Sequence, residues 1–445
     1  MTTDAGAGQR PRTETHRKTV ARRAAGTDKV KGKPTIREPL RVIAPPPGIV
    51  DAGIESMFEI FGTMVTSSAD YLASLLGRGA TPVDIARDLM AWNRIIKERN
   101  APSWVHPNEV VRTWPVARLR HFSPPDAATV EPDDMVPTLI LPPQAGHDSC
   151  IVDYAPGQSQ VLTAIEAGCS PVYSMDWLGA TKETKDCGIE DYLETIHEAV
   201  QHIGGHANIV GDCQGGWLAT IYTALYPDTV HTLSIAGAPI DFHAGEPLIH
   251  DWLRVMAPLG SIDVYRALVA VNGGVLPGDV MLNGFKIMQP DAEIDRQMAL
   301  LAHVHDERHV ERYRRFEDWF QWTQPIPGAF YLWIVEHLFL RNELLHDELV
   351  VGGRHVDLHD IHCPLYLLAG AKDHITPPAQ VFALAEFAAT PEEEVWKLTT
   401  DGGHLGIFMG HQSLRTCWKP VFEDIAVRSV HQLHHDAQPH ENQPG

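Results

Sequence analysis

The sequence predicts an α/β fold: a mostly parallel, doubly wound sheet with a helical cap inserted into it. Three observations predict it. Short apolar runs alternate with stretches of helical period from about residue 107 to residue 242. The run "HANIVGDCQGGWLATIYTALYP" reads as strand, sharp turn and helix. The alternation breaks over residues 243–355, which are rich in Trp, Tyr and Leu, and returns at "CPLYLLAGAKDHITPP".

The chain has 445 residues, 44% hydrophobic and 21% charged, which supports a large core and argues against a largely disordered polymer. Residues 1–45 are rich in Arg, Thr, Gly and Pro and are expected to be a disordered basic tail. Within residues 1–34, nine Lys or Arg stand against three acids, a net charge of +6 in a chain whose total is -21. The remainder is therefore strongly acidic and repels nucleic acid and anionic lipid in bulk. The six cysteines have no CxxC pair or metal-ligand rhythm, which fits free thiols in a reducing compartment. Neither a signal-peptide core nor a run of about 20 apolar residues occurs. A cytoplasmic protein fits these features.

Residues 46–106 are expected to form an N-terminal helical region. In "TPVDIARDLMAWNRIIKER", Thr81 is placed to cap, Pro82 takes the first helical position and Asp84 follows three residues after the cap. Residues 107–242 form the first part of the sheet domain. There "EVVRTWPVARLRHF", "VPTLILPP", "SPVYSMDW" and "TVHTLSIAGAPID" read as strand material, and "GIEDYLETIHEAVQHIGG" as a helix with a glycine stop. Residues 243–355 are the cap. Residues 356–432 complete the sheet domain with "CPLYLLAG", the helix "AQVFALAEFA", the strand "EEVWKLTT" and a closing helix near 413–432. Residues 433–445, polar and His-rich, are expected to be disordered.

Gly211-Asp212-Cys213-Gln214-Gly215 has the form G-x-C-x-G, a nucleophile elbow with Cys where Ser is usual. Glycines two residues either side let strand and helix pass closely. The thiol then stands at a helix N-terminus, where exposed N–H groups and the helix dipole favour a thiolate. A buried Cys in an ordinary strand-turn-helix unit gives the same five letters, so the later motifs decide. Asp373 follows the strand "LYLLAG", and His404 lies in the Gly-rich turn "DGGHLGIFMG" after another strand. The order nucleophile, acid, histidine is that of the α/β-hydrolase fold. The catalytic set is therefore Cys213 as nucleophile, His404 as base and Asp373 as the acid that orients it. Asp401 is a weaker candidate acid because it is too near His404 in sequence. The N–H of Gln214 is the first expected oxyanion donor, and Gln144, in the loop after the strand at 138–141, is the second. His374 and Trp217 are candidate substrate contacts, although a plain loop role is as good a reading of His374. Asp212 adjoins the nucleophile and would oppose a thiolate by like charge if it faced it. The cap aromatics Trp319, Phe320, Trp322, Phe330, Tyr331 and Trp333 suit an apolar acyl tunnel or ordinary packing between cap helices.

Residues from about 137 to 425 resemble the polyhydroxyalkanoate synthases, especially the shorter type that works with a second subunit. The resemblance is carried by "PVYSMDW", "DYLETIHEAVQHI", "GDCQGGWLATIYTALYPDTVHTL", "GAPIDF", "VVGGRHVDLHDIHCPLYLLAGAKDHITPP" and "GGHLGIFMG". It implies that Cys213 carries the growing acyl chain, that Asp373 and His404 supply the acid and base, and that His374 is the adjacent histidine of that family. The implied substrates are a 3-hydroxyacyl-coenzyme A and the polyester chain. The implied partners are a granule surface, a second synthase subunit or further copies of the chain, with no metal, redox cofactor or nucleic acid. The related intracellular polyhydroxyalkanoate depolymerases use an elbow Cys too, so hydrolysis of polyester or short esters by the same residues is the rival reading. A non-catalytic granule-surface protein is a further one, opposed by the intact Cys-Asp-His set.

Overall fold

A computed structural model of the chain describes residues 68–123, 135–245, 249, 257, 260–288 and 290–436. The expected basic tail, residues 1–45, lies outside them. Eight strands form one sheet: β1 Asn108–Thr113, β2 Ala117–Phe122, β3 Thr138–Leu141, β4 Val172–Trp177, β5 Ala207–Asp212, β6 Val230–Ala236, β7 Leu365–Gly370 and β8 Val395–Thr400. Their order is β1-β2-β4-β3-β5-β6-β7-β8. All neighbours from β4 to β8 pair in parallel, while β2 is antiparallel to both β1 and β4. The strand material of "EVVRTWPVARLRHF" is thus a hairpin of two strands. It turns at Pro115, which has no N–H to give to a ladder, and the Trp114 N–H closes the turn on the Ala117 carbonyl at 2.8 Å.

The central strands are buried on both faces, and their alternate residues feed two cores. Leu139, Leu141, Ile209, Leu233, Ile235, Leu365 and Leu367 face helices α3 (Ile189–His202) and α4 (Gln214–Leu225). Ile140, Val210, Ala236, Tyr366 and Leu368 face α2 (Gln160–Glu166), α11 (His404–Met409) and α12 (Lys419–Asp436). Each fully buried aliphatic or Phe side chain contributes about 1.5–3 kcal/mol relative to exposure. α12 continues to Asp436, past the expected end near 432.

Between β6 and β7 lie α5 (Asp263–Val271), α6 (Gly278–Met288), α7 (Pro290–Ala302), α8 (Glu307–Phe320) and α9 (Gly328–Trp333), the last running into a π-helical turn, Ile334–Leu340. Phe330, Ile334 and Leu338 join the core above α4. Helix α1 (Pro82–Lys97) begins at a capping box in which Thr81 and Asp84 bond reciprocally. It packs on the inserted helices: Ile95 meets Leu300, Val304 and Tyr313, and the Trp92 indole N–H donates to the Gln297 carbonyl at 3.1 Å. Among the described residues no helix is long and apolar enough to cross a membrane. None of the six cysteines forms a disulfide. α10 (Pro378–Phe382) follows β7 and leads towards β8.

Candidate active site

The site is built at the C-terminal ends of β5, β7 and β8. Cys213 joins β5 to α4 with φ 50° and ψ -115°, a conformation that a non-glycine residue adopts only where its surroundings enforce it. The enforcement is visible. The Cys213 N–H donates to the Ala236 carbonyl at 2.8 Å, and its own carbonyl accepts from the Gly216 N–H at 2.9 Å. A Cβ on Gly215 would stand 1.9 Å from the Leu141 oxygen, and one on Gly211 would stand 2.4 Å from the Gly215 oxygen. The glycines therefore let α4 begin directly against the ends of β3 and β5.

His404 opens α11, with its Nδ1 2.7 Å from Asp373 Oδ2. The other carboxyl oxygen, Asp373 Oδ1, accepts the backbone N–H groups of Ile375 and Thr376, both at 2.9 Å. Asp373 is thus clamped by its own loop, and it fixes the imidazole with Nδ1 carrying the proton. The Phe408 ring stands edge-on to His404 at 5.2 Å. Burial pushes the imidazole towards its neutral form. The charges of Asp373 and Cys213, and hydrogen bonds to both, more than offset this and raise its pKa well above the ordinary histidine value. Cys213, Asp373 and His404 line one cavity of about 320 Å³.

The other expected site residues divide. His374 is exposed and lines this cavity. Gln214 is the first residue of α4, so its N–H is one of the helix's free donors, while its buried side-chain oxygen has no partner among the described residues. The Gln144 side chain turns away and donates to the Tyr192 hydroxyl at 3.1 Å, whereas its neighbours Pro143 and Ala145 line the cavity. Trp217 is fully buried against Phe330 and Trp333 and is not part of the lining. Its place on α4, one turn past Cys213, aims it into the core beneath the inserted helices rather than at the site. Of the cap aromatics, Trp319 and Phe320 line the cavity. Phe330 is core, Tyr331 packs on Tyr265, and Trp322 is largely exposed.

Several lining residues carry no sequence signal. His147 stacks on Trp319 at 4.9 Å and on Phe320 at 5.5 Å, and its Nε2 donates to the Phe320 carbonyl at 3.0 Å. Burial lowers its pKa to about 4, so it is a neutral wall of the cavity. Phe285 and Phe316 extend the apolar wall, and Lys286, Arg296 and Lys372 stand along it. Arg296 is held by Glu317 at 2.8 Å and lies over the Phe316 ring. The cavity thus offers a thiol, an oriented imidazole and a mainly aromatic surface, the parts needed for transfer of an apolar acyl group.

Comparison with known proteins bears out the resemblance noted in the sequence. The chain is 27% identical over 331 residues to the poly(3-hydroxyalkanoate) polymerase subunit PhaC of Haloferax mediterranei, covering 73% of this chain and 64% of that protein. It is 27% identical over 335 residues to the protein of the same name from Haloarcula marismortui, covering 73% and 68%. Among solved structures, the monoacylglycerol lipase of Paleococcus ferrophilus is similar with a TM-score of 0.43 and 16% identity, over 66% of this chain and 97% of that one. The strand order and the strained turn at Cys213 are by themselves those of an α/β-hydrolase fold. The family model described as "Protein of unknown function (DUF3141)" matches residues 114–427, from the β1–β2 turn into the last helix, and the chain belongs to that family.

Proposed function

We propose that the chain is a polyhydroxyalkanoate synthase-like acyltransferase that works through a thioester on Cys213. The observation that carries this reading is the strained Cys213 hydrogen-bonded to a His404 that Asp373 holds at 2.7 Å, inside an apolar cavity. His404 Nε2 takes the Cys213 proton. The thiolate attacks the carbonyl carbon of a 3-hydroxyacyl-coenzyme A, and the oxyanion that forms accepts the Gln214 N–H, with the Gln144 N–H as the second donor. The bond to the coenzyme A sulfur breaks, that sulfur takes the proton from His404, and the acyl group remains on Cys213. The 3-hydroxyl of a second unit then gives its proton to His404 and attacks the Cys213 thioester. An ester bond forms, the carbon–sulfur bond breaks, and the proton returns to Cys213. Trp319 and Phe320 cover the acyl group, and His374 contacts it at the rim. The similarity to poly(3-hydroxyalkanoate) polymerase subunits supports the choice of thioester and hydroxyl acceptor over water.

The test is to incubate the protein with 3-hydroxybutyryl-coenzyme A, and separately with amorphous polyhydroxybutyrate, with Cys213→Ala as control. Release of coenzyme A with formation of polymer, lost in Cys213→Ala, is the expected result. Release of monomer from polymer without polymer formation would replace the synthase by a depolymerase. Unchanged activity in Cys213→Ala would remove the covalent mechanism.

A further inference from the structure

We propose that Asp212 is a neutral carboxylic acid, paired through two hydrogen bonds with the Gln160 side-chain amide, and that this pair is a positioning device for Cys213. Asp212 ends β5, immediately before the nucleophile, and is completely buried, as is Gln160 at the start of α2. The buried core on this side of the sheet includes Ile140 of β3, Val210 of β5, Ala236 of β6, and Ile407 and Phe408 of α11. Gln160 Nε2 donates to Asp212 Oδ1 at 3.2 Å. Two buried acceptors are left over, Asp212 Oδ2 and Gln160 Oε1, and neither has a partner among the described residues.

A carboxylate offers about four lone-pair sites, and a single amide donor does not satisfy it. One proton resolves both loose ends. Placed on Oδ2, it turns that oxygen into a donor, and the acceptor assigned to it is the unused amide oxygen of the same Gln160, whose Nε2 already donates to Oδ1. The two antiparallel bonds close the planar ring of an acid–amide dimer. The electrostatics agree. Burial pushes the carboxyl up to about 8, opposed by the Gln160 hydrogen bond and then by the charge of His404. The consequence for the site is direct. Below about pH 8 the residue behind the nucleophile is uncharged, so a thiolate on Cys213 meets no like charge across the turn. The pair also ties α2 to the end of β5 and so holds the turn from below.

This inference rests on Cys213 as nucleophile but not on any substrate, and its first measurement needs neither. Infrared difference spectra compare the wild type with Asp212→Asn. At about pH 6 a protonated-carboxyl C=O band is expected in the wild type only, fading as the pH passes about 8. Absence of that band would overturn the proposal. Gln160→Leu removes the partner and should move the band to the frequency of an unpaired acid; an unmoved band would refute the pairing. Iodoacetamide alkylation of Cys213, with Cys213→Ser as blank, gives the functional readout. Asn reproduces the neutral ring, with its amide donating to Gln160 Oε1. Asp212→Asn should therefore alkylate within about twofold of wild type near neutral pH and about tenfold faster than it above pH 9. A tenfold loss in Asp212→Asn near neutral pH would mean that a negative charge is required there, the opposite of the proposal.

Discussion

Asp373 divides its two carboxyl oxygens between two tasks: Oδ2 holds His404 Nδ1 at 2.7 Å, and Oδ1 accepts the N–H groups of Ile375 and Thr376. The carboxyl group is thus held by its own loop where it meets the imidazole. Asn at this position keeps an oxygen for the backbone donors and presents an amide N–H to Nδ1. It then favours the tautomer that carries the proton on Nε2, which cannot accept from the thiol. Asp373→Asn should fold with a thermal midpoint near that of the wild type and lose about 10²–10⁴-fold in the rate of coenzyme A release from 3-hydroxybutyryl-coenzyme A. A rate within threefold of wild type would remove Asp373 from the catalytic set.

The same contact has a pH signature in stability. The folded-state pKa of His404 is raised well above its unfolded value because the favourable charges of Asp373 and Cys213 exceed the burial penalty. The folded protein therefore holds this proton more tightly than the unfolded chain. That contribution is full below about pH 6.5, the unfolded value, and is lost as the pH rises through the folded value. Urea unfolding of wild type and His404→Gln at a series of pH values checks it. The advantage of the wild type should be largest on the acid side and shrink towards the alkaline side; a pH-independent difference would contradict the coupling.

How much of this was legible in the sequence follows from which features depend on local backbone chemistry. The elbow did, because Gly211, Cys213 and Gly215 are needed by one turn, and the later Asp373 and His404 follow strands that end at the same edge of the sheet. The capping box at Thr81 and Asp84 was equally local. Trp217 was not legible: residues Gly215–Leu225 of α4 are all buried, so apolar periodicity does not mark which face looks at the cavity. Nor was the lining by His147, Phe285 and Phe316, which reach the site from three separate segments and obey no spacing. Trp319 and Phe320 are neighbours in sequence like Trp322 and the aromatics beyond it, and only the path of α8 brings that pair, not the others, to Cys213. The strand character of the β1–β2 stretch was legible in its composition, while its division into a hairpin depends on the turn at Pro115.

Asp212 should make the protein less stable as pH rises. Its folded-state pKa is raised by burial to about 8, whereas an exposed aspartate titrates near 3.8. Between these values the folded state keeps a proton that the unfolded chain has released, so raising the pH favours unfolding. The slope from this group is about 1.4 kcal/mol per pH unit. In Asp212→Asn that slope is gone. Denaturant unfolding near pH 5 and pH 7 should show the variant gaining about 2–3 kcal/mol on the wild type between the two conditions. Parallel pH dependences would place the Asp212 pKa in the normal range and remove the acid from the core.

The aromatic wall sets the last expectation. Phe320 closes the cavity beside His147, stacking on it at 5.5 Å, and is not fully buried. Its replacement by Ala opens the wall at the covering side while Trp319, whose indole N–H donates to the Asp148 carbonyl at 2.8 Å, keeps the frame. The exposed part of the ring limits the loss of stability to less than the about 3–5 kcal/mol of a fully buried Phe. Room for a longer acyl chain increases at the same time. Each methylene accommodated in apolar surroundings is worth about 0.8 kcal/mol, close to fourfold in specificity. Phe320→Ala should therefore shift the ratio of kcat/KM towards 3-hydroxyhexanoyl- over 3-hydroxybutyryl-coenzyme A by about tenfold or more, measured by coenzyme A release. An unchanged ratio with a lowered rate for both would show that the acyl chain does not lie against this wall.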